Sequence, residues 1–176
     1  TDEQLSVKIR LGFDDSDLLT EIVDAIVQSG ANLLTIHART KRQGYKPPAY
    51  WQSIAQISKK FTIDLVANGE IWQREDAINC MQQAQTNNIM LGRGILALPN
   101  LAQVIRYDDA PMTWSQQCQL LHKYSHMELQ SAKGFYFSSR LKQWLKYLKC
   151  YYPEAEHLFE NIKRLSDKNE ILALIN

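Results

Sequence analysis

Residues 62–94, TIDLVANGEIWQREDAINCMQQAQTNNIMLGRG, decide the fold. TIDLVANG (62–69) is a short apolar run closed by a turn signal, which reads as a buried strand. WQREDAINCMQQAQ (72–85) has helical spacing, and NNIMLGRG (87–94) is another apolar run. Strand, helix and strand in so short a span imply a parallel pair joined by a crossover helix. Both strands stop at polar, glycine-bearing signatures, Asn68-Gly69-Glu70 and Gly92-Arg93. An ordinary turn accounts for such a signature. So does a site where backbone N–H groups approach a ligand's phosphate with no Cβ in the way.

The same alternation extends towards the N-terminus. In SVKIRLGF (6–13), Val7, Ile9 and Leu11 point one way and Lys8 and Arg10 the other. DDSDLLTEIVDAIVQSG (14–30) reads as a helix with acidic residues at its start, where the dipole favours them, and with Gly30 at its end. Leu18, Ile22, Ala25 and Ile26 are its expected apolar face. ANLLTIHA (31–38) is a strand, and ARTKRQGYKPPAY (38–50) a long polar loop. WQSIAQISKKF (51–61) and LPNLAQVIRY (98–107) are helices. The strands end in KIRLG, IHART, ANGE and GRG. Polar residues at the C-terminal ends of consecutive parallel strands mark the active-site face of a barrel.

After Pro111 the pattern changes. TWSQQCQLLHKYSHMELQ, AKGFYFSSRLKQWLKYLKCYY, PEAEHLFENIKRL and DKNEILALI are helical with no strand between them. Trp144, Leu145 and Leu148 recur at helical spacing and read as core. Four strands do not close an eight-stranded barrel. The expected fold is therefore α/β: the C-terminal half of a (β/α)8 TIM barrel at 1–110, then an all-α domain at 111–176.

Composition bounds the function. The chain has 176 residues, 45% hydrophobic and 22% charged, as soluble globular proteins do. It has no apolar run long enough for a membrane span and no signal-peptide core, so no membrane partner is expected. Cys80, Cys118 and Cys150 are odd in number and widely spaced, which suits a reducing cytoplasm and suggests neither a zinc site nor a disulfide framework. Charge is unevenly spread: 11 Lys and Arg against 13 Asp and Glu over 1–112, 6 against 1 over 113–153, and 3 against 5 over 154–176. The central basic block is either a solvated helix face or a surface for phosphate backbones.

KIRLG, IHARTKRQGY, VANGEIW, MLGRG followed by a short helix, and RLKQWLKYL, in this order, resemble the tRNA-dihydrouridine synthases, most closely their bacterial C-type subfamily. The resemblance covers essentially the whole chain. It implies an FMN-binding barrel with a helical tRNA-binding domain, using NADPH and FMN to reduce a specific uridine of tRNA to 5,6-dihydrouridine in the cytoplasm. Which uridine is left open. The resemblance puts Lys8 at the pyrimidine edge of the flavin and makes His37 a flavin or substrate contact. Asn68, Gly69 and Glu70, with Gly92 and Arg93, would form the cofactor cradle, Glu70 bonding a ribityl hydroxyl. Arg39, Lys41, Arg42 and Tyr45 in the loop, and Lys142, Lys146 and Lys149 in the basic helix, would meet tRNA.

The family's proton-donating cysteine is expected in an N-terminal half that precedes this chain. None of the three cysteines here lies in a comparable motif, so no catalytic residue is assigned. The lead-in AQTNNIMLGRG also departs from the family pattern, which has a Gly and an Asp at that turn. Two alternatives stay open: another FMN-dependent barrel oxidoreductase acting on a small substrate, and a non-catalytic RNA-binding module. The edges of a half-barrel are expected to promote self-association.

Overall fold

The computed structural model describes residues 4–130 and 134–175. Four strands, β1 (Ser6–Arg10), β2 (Leu33–His37), β3 (Asp64–Asn68) and β4 (Asn88–Met90), alternate with α1 (Leu19–Gln28), α2 (Gln52–Lys60) and α3 (Arg74–Ala84). They form one parallel sheet in the order β1-β2-β3-β4. The register sets Arg10 beside His37, His37 beside Asn68, and Asn68 beside Met90. The functional ends of all four strands therefore lie in one row.

The chain divides into two compact units, 1–92 and 93–176. In the first, Leu34, Ile36 and Ala67 of the sheet are fully buried with Ile54 of α2 and Ala77, Cys80 and Ala84 of α3. Small residues on α3 let the helix lie close to the sheet. A capping box between Gln73 and Asp76 starts α3, and Gln85 ends it in the left-handed region at φ 53°.

Helix α1 corrects the sequence reading. Its buried residues are Leu19 and Val23, whereas Leu18 is 63% and Ile22 38% exposed. Apolar residues occur in pairs at 18/19, 22/23 and 26/27, so two adjacent stripes compete, and the one including 19 and 23 packs inward. The acidic run at 14–17 precedes the helix, leaving Glu21 in its first turn.

The second unit is helical: α4 (Arg93–Ala97), α5 (Leu101–Tyr107), α6 (Trp114–Gln130), α7 (Phe137–Leu148), α8 (Pro153–Ile162) and α9 (Lys168–Ala173), with a 3-10 turn at Gly134–Tyr136 before α7. The helix expected from Ala132 has its first residues, Ala132 and Lys133, outside the described residues. Phe137, Leu141, Leu145 and Leu148 make a fully buried stripe on α7, each worth about 1.5–3 kcal/mol of transfer free energy. Ala155, Leu158 and Ile162 of α8 and Leu121 of α6 are also buried. Pro153 opens α8, and the Asp167 carboxylate caps α9 by accepting from the N–H groups of Asn169 and Glu170. The composition changes near 108–112, but α4 and α5 fall in the second unit because α4 packs on α7. Among the described residues, no helix is long and apolar enough to cross a membrane.

Candidate active site

The C-terminal ends of β1, β2 and β3 bring Lys8, Arg10, His37 and Asn68 to one cleft of about 380 Å³, which Ile9 and Tyr45 also line. Lys8 Nζ donates to Asn68 Oδ1 at 2.9 Å, and Asn68 Nδ2 donates to the Met90 carbonyl at 2.7 Å. The amide of Asn68 thus links β1 to β4 and fixes the ammonium over the sheet. Burial, and then the nearby Arg10 charge, hold the Lys8 pKa below its ordinary value. A cation in this setting gains most from a ligand that carries or acquires negative charge.

Arg10 shapes the cleft. Its Nη1 donates to the carbonyls of Thr40 and Gly44, each at 3.0 Å, and its guanidinium lies 5.1 Å from the Tyr45 ring centroid. The loop after β2 is further tied to the end of β1 where Lys41 N donates to Gly12 O and Arg42 N to Phe13 O. Tyr45 is 64% exposed, and its ring centroid lies 6.0 Å from that of His37.

Arg39 and Glu70 are placed differently from the sequence reading. Arg39 is fully buried, donates from Nε to the Pro48 carbonyl at 3.0 Å, and forms an ion pair with Glu70. It is turned into the protein and presents no surface to an RNA. The other Glu70 oxygen accepts from Trp72 Nε1 at 2.7 Å, so this carboxylate holds the protein's own groups. A carboxylate at a buried strand tip would otherwise repel a phosphate, and the guanidinium neutralises it.

Gly69 and Glu70 form the turn with φ 121° and 54°. A Cβ at position 69 would sit 2.9 Å from His37 Cδ2, so the turn requires glycine both for its backbone and for the ring packed against it. Trp51 Nε1 donates to Gly69 O at 2.9 Å. The Asn-Gly-Glu turn is therefore pinned by Lys8, Trp51, Arg39 and Trp72 together. Among the described residues no atom lies within 4 Å of a Cβ added at Gly92, and Arg93 opens α4.

Among the other expected contacts, Lys41 and Arg42 are exposed, Arg42 pairing with Asp14 at 3.5 Å. Lys142 Nζ donates to Leu165 O, and Lys149 pairs with Glu156 at 2.9 Å. Lys146 is exposed on the same face of α7. Among the described residues, no cysteine lines the cleft. Cys80 is buried, with its thiol pKa pushed up to about 12 by burial and then by Asp76, and Cys118 is raised by burial. The roles of Arg10 and Trp51 had no sequence signal beyond their nearness to the motifs, because each acts through a long-range bond to a backbone carbonyl, whereas Trp72 bonds Glu70 only two residues away.

Comparison with known proteins bears on this arrangement. The dihydrouridine synthase family matches residues 1–176. A protein of Shewanella oneidensis named tRNA-dihydrouridine(16) synthase is 43% identical over 171 residues, covering 97% of this chain and 54% of the relative. Proteins of the same name from Pasteurella multocida and Escherichia coli K12 are 44% identical over 164 residues and 41% over 172, covering 93% and 97% of this chain and 53% and 55% of the relatives. The chain spans about half the length of the curated relatives it matches. It belongs to the dihydrouridine synthase family.

Proposed function

We propose that this chain is part of a longer, FMN-dependent tRNA-dihydrouridine synthase of the cytoplasm that reduces uridine 16 of tRNA. In this reading β1–β4 and their helices are the second half of a (β/α)8 barrel, and the helical region is the tRNA-binding domain. The observation that carries it is the convergence of Lys8, His37 and Asn68 on one cleft at the C-terminal ends of three parallel strands. The family match along the whole chain and the names of its relatives support the substrate and the position.

The residues present fit a flavin. Lys8 and Asn68 offer a cation and an amide at one edge of the cleft. When bound, FMN recharged by NADPH would supply a hydride to one carbon of the uracil C5–C6 double bond, with a proton completing the reduction at the other. Lys8 holds negative charge at the ring edge, and Asn68 orients Lys8. His37, wedged between Gly69 and Tyr45, positions the uracil. Gly92 and Arg93 hold the phosphate, Arg93 with a planar fork of donors. Lys41, Arg42 and Tyr45 meet the RNA near the cleft, and Lys142, Lys146 and Lys149 meet its backbone from the helical domain. No residue of this chain is assigned as the proton donor.

The test is a mass-spectrometric map of dihydrouridine in tRNA from cells with and without the parent gene. Loss of dihydrouridine at position 16 alone, restored by the gene, is the expected result. An unchanged map refutes the reading.

A further inference from the structure

A second cavity, of about 560 Å³, opens within the helical unit and is lined by Leu96, Tyr124, Arg140, Gln143, Trp144 and Tyr147. The volume is ample for a nucleotide-sized ligand. Four of the six residues form one stripe of α7 at positions i, i+3, i+4 and i+7. That stripe is distinct from the buried one at 137, 141, 145 and 148, and from the basic one at 142, 146 and 149. Helix α7 thus presents a third face, which Leu96 of α4 and Tyr124 of α6 border without filling.

The rings in this face are held in place. Trp144 Nε1 donates to Leu96 O at 3.0 Å, so the indole N–H is committed to the protein. Its ring meets Tyr124 edge-on, with centroids 5.1 Å apart. Arg140 is tied to Glu128 and sits 5.8 Å from the Tyr136 ring centroid. Gln143 is exposed and carries both a donor and an acceptor.

We propose that this cavity binds an unpaired nucleobase of the tRNA, stacked on Trp144 or Tyr147 and read along its edge by Gln143 and Arg140. The proposal rests on the functional reading above and adds a contact remote from the reacting uracil. Two observations favour a base. The segment 113–153 carries six Lys and Arg against Glu128 alone, so it keeps a net positive charge that attracts a polyanion even with Arg140 paired to Glu128. The lining also combines ring faces with a guanidinium and an amide, which a base uses through its plane and its edge. An apolar segment of a partner protein would cover the exposed Gln143 amide without offering it a hydrogen-bond partner.

The experiment uses the full-length protein and unmodified tRNA transcript. Trp144→Ala weakens tRNA binding by roughly ten- to a hundred-fold, the range expected for one lost base–aromatic stack, and Trp144→Phe recovers most of it. Flavin retention and the slope of affinity against salt stay at parent values, because no phosphate contact is lost. Ultraviolet cross-linking of the unsubstituted protein to the transcript, read by mass spectrometry, places a nucleotide on Trp144, Tyr147 or Tyr124. This arm remains decisive if Trp144→Ala does not fold. Parent affinity in a folded Trp144→Ala protein, or cross-links confined to other residues, overturns the base site while dihydrouridine formation stands. A parent protein that neither binds tRNA nor makes dihydrouridine overturns the functional reading, and the base site with it.

Discussion

Arg39→Met removes the guanidinium from the pair that closes the turn at 69–70. The Arg39 side chain is 0% exposed and that of Glu70 21%, so water reaches only one member of the pair. Breaking a buried ion pair from one side costs about 3–5 kcal/mol, because the remaining charge is left without its partner. Partial access of water to Glu70 favours the lower end of that range. The Pro48 carbonyl also loses its donor, worth about 1 kcal/mol. The expected loss is therefore about 4 kcal/mol, or a melting temperature roughly 10 °C lower at the 2–4 °C per kcal/mol typical of this chain length. Arg39→Met/Glu70→Gln should recover about half or more, since the uncharged amide can still accept from Trp72 Nε1. Urea unfolding followed by circular dichroism measures both proteins, and the difference should persist from 0.1 to 1 M salt because a buried pair is poorly screened. A single-variant loss below about 1 kcal/mol, or no recovery in the double variant, would refute the argument that this pair is a closed structural latch.

Four further outcomes follow from the same geometry. Gly69→Ala should lower stability by about 1–3 kcal/mol and uracil reduction by more than roughly tenfold, since φ 121° and the 2.9 Å approach to His37 Cδ2 leave no room for a methyl group; parent-like turnover would contradict this. Arg93→Ala in the full-length protein should weaken FMN binding at least about tenfold, as expected for a charge-assisted phosphate contact, and undiminished flavin on purification would remove Arg93 from the cradle. Neutralising Lys142, Lys146 and Lys149 should flatten the salt dependence of tRNA binding, with Lys146 contributing most because Lys142 and Lys149 already serve Leu165 O and Glu156; an unchanged slope makes the stripe a solvated face. The 176-residue chain alone should self-associate and retain little FMN, because Leu5, Phe13, Leu18 and Ile22 are exposed apolar side chains in a unit whose sheet ends at β1; a monodisperse monomer carrying stoichiometric FMN in light scattering and absorbance would contradict both.

Element type was legible wherever local periodicity and packing agreed. The strand run TIDLVANG contains β3, and WQREDAINCMQQAQ contains α3, because turn chemistry and a capping box mark their limits. Helix α1 shows where local reading fails. Paired apolar residues give two equally good stripes, and only the sheet decides between them. Trp144 fails for a related reason: Leu145 and Leu148 are core, but Trp144 lies one step round the helix and half out of it, on the wall of the second cavity. The cleft residues were legible from their strand positions: register sets His37 between Arg10 and Asn68, whereas Lys8 pairs with Thr35 and reaches Asn68 only through its long side chain. Arg39 was not. A charged residue in a polar loop reads as exposed, and its inward turn depends on a carboxylate 31 positions away.

The clamp that Arg10 places on the loop at 40–45 has a thermodynamic consequence. By composition that segment is a flexible basic loop, which would lose backbone and side-chain freedom on meeting a polyanion. Here two carbonyls of the loop are already fixed to one guanidinium, and Tyr45 is already against it. The ordering entropy is spent when the chain folds and not when its ligand arrives. Titration calorimetry of tRNA binding should accordingly show a smaller unfavourable entropy for the parent than for Arg10→Met, with the difference offset little by enthalpy.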